Sequence, residues 1–226
     1  MKKWFLLFIL MCSTAQAQNN LYQVNIIVFR HITNEALTSE QWPNQLITPD
    51  LRNALDLKPL DQTILNDEQN LFGVDRYQAL PDNQIGLKKE IYRLSRHSDY
   101  QILLKTSWVQ PITSIRYARW VHVHGGQTYD ATGQAIEADP DNALIAPYWE
   151  IDGKIRIGQQ HYYEIDAQLT LTEPLASLGL DNNGSTDNAL TSFPLKAHQR
   201  TRLNEINYLD HPLFGTLIQI IPYKEK

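Results

Sequence analysis

Two histidines, His122 and His124, have the spacing in this sequence that comes nearest to a chemical site. They alternate with valines in a segment that predicts a β-strand, so both imidazoles would project from one face, beside Trp120. Such a pair can hold a metal ion, but zinc needs one or two further ligands, which only distant residues such as His31 or His161 could supply. Two histidines alone are more often structural, and both interpretations stay open.

The tripeptide Asp210-His211-Pro212 also pairs an acid with an imidazole. Catalysis would need an independent nucleophile, and the sequence has no Gly-x-Ser-x-Gly, His-Glu-x-x-His or phosphate-binding glycine motif. Pro212 favours an extended His211, Asp210 can accept backbone hydrogen bonds, and Gly215 can supply a positive φ. We therefore interpret the tripeptide as a turn into the last strand.

Cationic or potentially cationic groups recur at alternate positions near the end of the chain. They are Lys196, His198, Arg200 and Arg202. They can form a solvent-facing strand paired with acidic neighbours such as Glu164 and Asp166. They can also bind carboxylates, for which arginine is well suited. Lys89, Arg93 and Arg96 recur at helical spacing, and they too can form either a solvated face or an anion-binding surface.

Four tryptophans, Trp42, Trp108, Trp120 and Trp149, lie beyond the first 17 residues. Exposed aromatic faces stack on sugar rings, although packing in a core is the commoner fate of tryptophan. Among the candidates for ligand binding we select Trp120 and Trp149 for stacking, with Arg200 and Arg202 for carboxylates.

The first 17 residues predict a secretory signal peptide. Two lysines precede eight apolar residues, a run too short to span a bilayer, and Ala15-Gln16-Ala17 suits cleavage before Gln18. Lipid attachment at Cys12 is the alternative, which Met11 disfavours because a small residue should precede a lipidated cysteine. We expect an exported, periplasmic protein without stable membrane insertion.

Composition restricts the chemistry of the mature chain. Removing Lys2 and Lys3 leaves 18 Lys and Arg against 25 Asp and Glu, a net charge of −7 that argues against nucleic acid as a partner. Cys12 is the only cysteine, so a mature chain has no thiol for a disulfide, a nucleophile or a thiolate metal site. No cofactor is expected.

The elements predict an α+β fold, with a mainly antiparallel sheet, one principal helix packed on it and long loops. The helix begins at Asp82 or Asn83 and runs to about Arg96, with Leu87, Ile91 and Leu94 towards the core. Alternation in residues 163–172 predicts a strand with one wet face. Thr48-Pro49 predicts a short helix, and Asp152-Gly153 a hairpin. Residues 18–226 form a single domain in this interpretation.

Several segments resemble the CsiV family of Gram-negative periplasmic proteins. They are YQVNIIVFRH (22–31), YRLSRHSDYQILLKTSWVQP (92–111), WVHVHGGQTYD (120–130), YWEIDGKIRIGQQHYYEIDAQLTL (148–171) and RTRLNEINYLDHPLFGTLIQIIP (200–222). The last is the most specific, and it departs from the family pattern at Leu203, where serine is usual, and at Asn207, where histidine is usual.

The resemblance implies a non-catalytic protein that binds peptidoglycan. It also implies support of cell-wall biogenesis by a bifunctional penicillin-binding protein and its lipoprotein activator. The residues themselves leave two alternatives: a metal-dependent cell-wall hydrolase using His122 and His124, and a protein–protein adaptor that does not bind glycan.

Overall fold

The computed structural model describes residues 21–32, 45–67, 70–137, 148–178 and 189–224. The predicted signal peptide, Cys12 and Trp42 lie outside these residues. The described strands are β1 (Leu21–His31), β2 (Ala54–Leu55), β3 (Lys58–Pro59), β4 (Gln78–Ala79), β5 (Tyr100–Pro111), β6 (Trp120–Tyr129), β7 (Ala135–Ile136), β8 (Tyr148–Gln159), β9 (Tyr163–Pro174), β10 (Leu190–Thr201), β11 (Ile206–His211) and β12 (Phe214–Pro222).

These strands form two mixed, mainly antiparallel sheets. Sheet A has the order β11-β12-β1-β5-β4-β3, and sheet B has the order β10-β9-β8-β6-β2, with β7 paired to β6. The inner faces of the two sheets share one apolar core, to which β1, β5, β6, β8, β9, β10 and β12 all contribute. Alternate residues of a strand point to the same face of a sheet, and in β9 the residues on the core side are all buried. They are Ile165, Ala167, Leu169 and Leu171. The apolar face predicted for this strand is confirmed, whereas on the face predicted to be wet Glu164 and Thr170 are also buried.

Two α-helices are described, α1 (Gln62–Leu65) and α2 (Lys88–Ser95). Helix α2 packs on the outer face of sheet A, where Leu87, Ile91 and Leu94 meet Ile27 and Phe29, so the predicted apolar side is confirmed. The predicted start at residue 82 or 83 is wrong, because a short 3-10 turn occupies Asp82–Gln84 and Leu87 has a left-handed φ of 56°. With only eight residues, α2 is also not the one principal helix that the sequence predicted.

The predicted hairpin at Asp152-Gly153 is wrong. Strand β8 runs unbroken through both residues, paired with β6 on one side and β9 on the other. A Cβ at Gly153 would lie 2.1 Å from the carbonyl oxygen of Gln168. This glycine therefore permits close approach of neighbouring strands and does not mark a turn.

The turn predicted at Asp210-His211-Pro212 is confirmed, since β11 and β12 pair antiparallel with His211 opposite Phe214. The polar contacts differ from the prediction. The ring of His211 accepts a hydrogen bond from the Leu213 N–H, while Asp210 accepts one from the Tyr208 hydroxyl. Gly215 does not have the positive φ that was predicted, and it is needed for space instead, because a Cβ there would lie 2.5 Å from the Tyr208 ring. These residues build the hairpin.

Candidate functional site

The outer face of sheet B carries polar side chains in three cross-strand rows. In the order β6, β8, β9 and β10, the rows are Trp120, Arg156, Asp166, His198; His122, Lys154, Gln168, Lys196; and His124, Asp152, Thr170, Pro194. In the part of the chain that the structure describes, no helix packs on this face. Its side chains come from four strands spread over residues 120–201, and the register of these strands brings them together.

Residues 45–57, which we call the strap, cross this face. At one side, the Gln45 carbonyl accepts the Ser192 N–H, and the Ile47 N–H donates to the Ser192 hydroxyl on β10. At the other side, Ala54 and Leu55 form β2, which pairs parallel with the start of β6. The short helix predicted here is wrong, because residues 45–51 have no regular secondary structure and a turn at Arg52-Asn53 leads directly into β2.

His122 joins the strap to the sheet. Its Nδ1 lies 2.7 Å from Asp56 of the strap, and its Nε2 lies 2.8 Å from Asp152 of β8. Burial alone would lower the pKa of His122, but the bonds to Asp152 and Asp56 outweigh it, and the pKa is raised above its ordinary value. An imidazolium with both N–H groups donating to carboxylates has no lone pair for a metal. This geometry disfavours a metal site built on His122 and His124.

The indole of Trp120 lies among the cations of the first two rows. The Arg156 guanidinium carbon is 4.6 Å from its ring centroid, and Lys154 Nζ is 5.2 Å away. Trp120 is half-buried and lines an open depression of about 360 Å³, together with Gln168, Lys196 and others. The ring is held in place by cation–π contacts and remains accessible from this depression.

Asp166 holds the neighbouring side chains of Arg156 and His198 in fixed positions. Its carboxylate accepts a 3.1 Å bond from Arg156 Nε and a 2.7 Å contact from His198 Nδ1. Burial acts to raise the pKa of Asp166, but these two partners prevail and the pKa lies below its ordinary value. The depression beside Trp120 is thus walled by a preorganised ion network.

A family model described as peptidoglycan-binding protein, CsiV, matches residues 3–223. The chain belongs to the CsiV family. Membership implies peptidoglycan binding, which agrees with the expectation from the sequence. No curated protein and no solved structure was found to match the chain.

Two structural findings bear on the chemistry of this CsiV-family chain. Among the described residues, no helix combines the length and apolar character needed to cross a membrane. In those same ranges, no group of three or more histidine, cysteine, aspartate or glutamate side chains is placed to hold a metal ion.

The four residues predicted to bind ligand are not all brought together. Trp120 lies on the outer face of sheet B, and Arg200 lies on the same face, 3.8 Å from Glu164. Trp149 packs against His124 of the third row, with ring centroids 4.3 Å apart, at the opposite end of the rows from Trp120. Arg202 is exposed and follows the end of β10. Of the four, Trp120 lines the depression described above, and the candidate site in the CsiV-family chain is therefore centred on it.

Sequence reasoning missed Lys154, Arg156 and Gln168, which lie beside Trp120 in the structure. The signal was present, because Asp152, Lys154 and Arg156 alternate with glycine and isoleucine as on a one-sided strand. The predicted hairpin broke that pattern in two. The prediction that strand cations pair with Glu164 and Asp166 is confirmed for Arg200 and His198.

Proposed function

We propose that this chain is an exported, non-catalytic accessory protein that binds peptidoglycan through the outer face of sheet B. The observation that supports this most directly is the half-buried Trp120, held between Arg156 and Lys154 beside an open depression. Membership of a family described as peptidoglycan-binding supplies the ligand class.

The chemistry of this face suits the polymer. A fixed indole offers an apolar surface to a sugar ring, and the Gln168 amide can donate to and accept from sugar hydroxyl and acetamido groups. Lys196 and Arg200 are exposed cations that can meet the carboxylates of stem peptides. Together these groups recognise glycan and peptide at once.

In this proposal the chain works in the periplasm after loss of residues 1–17. It supports wall synthesis by a bifunctional penicillin-binding protein, through that enzyme's lipoprotein activator. A binding role without catalysis is supported by the doubly hydrogen-bonded state of His122, which disfavours a metal-dependent hydrolase. The protein holds the synthase near the polymer and makes or breaks no covalent bond.

Sedimentation of residues 18–226 with purified sacculi tests the proposal. We expect the protein to pellet with sacculi, and we expect added salt to reduce the pelleted fraction because charged contacts are screened. Release of soluble muropeptides would contradict the non-catalytic assignment. Failure to pellet, with crosslinking still capturing a synthase or lipoprotein, would support an adaptor that does not bind glycan.

A further inference from the structure

A second depression lies beneath the strap and adjoins the one beside Trp120. It encloses about 350 Å³, within the range of roughly 300–1,000 Å³ typical of small-ligand sites. The strap contributes Ile47 to Asp50, and the sheet contributes residues of β8, β9 and β10. Gln168 and Lys196 line both depressions. A ligand on Trp120 can therefore extend under the strap.

Lys154 is the buried charge in this depression. Its side chain is only 8% exposed, yet its nearest carboxylate oxygen, on Asp50, is 3.8 Å away, which is too long for a hydrogen bond. Its other close partner is the Trp120 ring. A buried ammonium is normally paired at hydrogen-bond distance, so this one is short of a close acceptor.

Asp50 does not make up the deficit, because Arg52 already engages it. Arg52 Nε lies 2.8 Å from Asp50 Oδ1, and Arg52 Nη2 lies 3.0 Å from Oδ2. These bonds hold the pKa of Asp50 below its ordinary range. Arg52, Lys154 and Lys196 thus place three cations around Asp50, the one carboxylate among the described residues that line the depression, and leave two positive charges in excess.

We propose that the depression beneath the strap is a carboxylate subsite that takes the free C-terminal carboxylate of a peptidoglycan stem peptide, with Lys154 as its counter-ion. The inference rests on the proposed function and names the chemical group that this part of the site reads. A carboxylate here would give Lys154 the close acceptor that it lacks.

The remaining lining suits the end of a short peptide. Thr170 and Gln168 offer hydroxyl and amide groups to a peptide backbone, while Ile47, Pro49 and Pro194 present apolar surface to small side chains such as the methyl of alanine. The subsite is therefore suited to a terminal carboxylate that is preceded by small residues, more than to an isolated anion.

Titration with N-acetyl-D-alanyl-D-alanine, followed by NMR spectra of the ¹⁵N-labelled protein, tests the subsite. We expect the free acid to bind at least about tenfold more tightly than its C-terminal amide, because the amide cannot pair with Lys154. Equal affinity of acid and amide, or binding of neither, would overturn the proposal. N-acetyl-L-glutamate α-amide provides a side-chain carboxylate. Equal affinity for that probe would overturn the assignment to a stem-peptide terminus.

Two variants should move the affinity for the free acid in opposite directions. Lys154→Met should weaken it at least about tenfold, and Asp50→Asn should strengthen it about threefold by removing the competing negative charge. Lys89→Met, on exposed α2, is the matched control and should stay within about twofold. An increased affinity of the Asp50→Asn variant for the free acid can be measured even if the Lys154→Met variant folds poorly. No change in either variant would place the binding elsewhere.

Sacculi separate this proposal from the proposed function. If the parent protein pellets with sacculi but does not discriminate acid from amide, the carboxylate subsite is wrong and peptidoglycan binding stands. If the parent protein fails to pellet, the proposed function itself is wrong.

Discussion

The outer faces of the two sheets differ in what covers them. On sheet A, helix α2 lies on an apolar surface that includes Ile27 and Phe29. On sheet B, charged rows lie under a strap held by hydrogen bonds and ion pairs, and two depressions stay open between them. On sheet A the apolar part of the outer face is covered by α2. The polar outer face of sheet B is the one that we propose binds the ligand.

The two faces also carry their cations differently. Lys89, Arg93 and Arg96 are exposed on α2, where Arg96 bonds the Tyr92 hydroxyl within the same helix. On sheet B, Arg156 is fixed by Asp166 and packs on Trp120. Fixed cations lose less conformational entropy when they bind a ligand. Both faces carry cations, so charge density alone does not choose between them, and the preorganisation of Arg156 is the reason that we propose sheet B as the binding face.

The largest effect expected is from Trp120→Ala. We expect affinity for sacculi to fall about 30-fold, near 2 kcal/mol, because an aromatic anchor at the centre of a site carries much of the binding energy. Tyr92→Ala removes an aromatic side chain that is 59% exposed on α2 and is the matched control. Sedimentation isotherms measure both variants. Equal losses would remove the distinction between the two faces.

His122→Gln tests the attachment of the strap. The pKa of His122 is raised in the folded protein, so its contribution to stability is fully present below the unfolded pKa, about 6.5, and is lost as pH rises through the folded pKa. We expect the variant to be less stable than the parent by about 1–2 kcal/mol at pH 5.5, with a smaller difference at pH 9. Urea unfolding at both pH values measures this.

The control for the strap is His97→Gln, an exposed residue just after α2. It should change the free energy of unfolding by less than about 0.5 kcal/mol at either pH. A difference between His122→Gln and the parent that grows with pH would contradict the assigned charge on His122.

A smaller effect is expected from Arg200→Ala/Arg202→Ala. Arg200 is 69% exposed and lies 3.8 Å from Glu164, and Arg202 is exposed beyond the strand end. Exposed cations contribute only modestly to binding affinity, so we expect about a threefold loss of affinity for sacculi. The loss should be smaller at high salt, where charges are screened. Binding equal to that of the parent would show that the end of β10 takes no part.

The smallest effect is expected on the opposite side of the molecule. Lys89→Ala/Arg93→Ala/Arg96→Ala removes three exposed charges from α2. Affinity for sacculi should change by less than about 1.5-fold, because these cations do not touch the proposed ligand. A loss larger than that of Trp120→Ala would move the binding site to α2.

Local patterns predicted the parts of the fold that depend on burial of one face. The alternation in β9 and the spacing of Leu87, Ile91 and Leu94 were enough to place a strand and a helix against the core. The start of α2 was not predictable in this way, since the left-handed Leu87 breaks a pattern that reads as helical.

The site was less predictable because the pairing of distant strands creates it. Trp120 was identified from its type, but its contact with Arg156 follows from the register of β6 on β8. The strap crosses sheet B through bonds to Ser192 and His122, which lie far from it in sequence. No local pattern in the sequence predicts these contacts. Because β8 was predicted as a hairpin, Lys154 and Arg156 were not assigned to one face of a single strand.

The most direct test of the outer face of sheet B is an NMR map of the bound ligand. Backbone and indole signals of ¹⁵N-labelled residues 18–226 would be followed during titration with soluble muropeptides released from purified sacculi. We predict that the Trp120 indole and the amides of Arg156, Gln168 and Lys196 shift, while signals from α2 do not. Shifts confined to α2, or none while the protein still pellets with sacculi, would contradict the account.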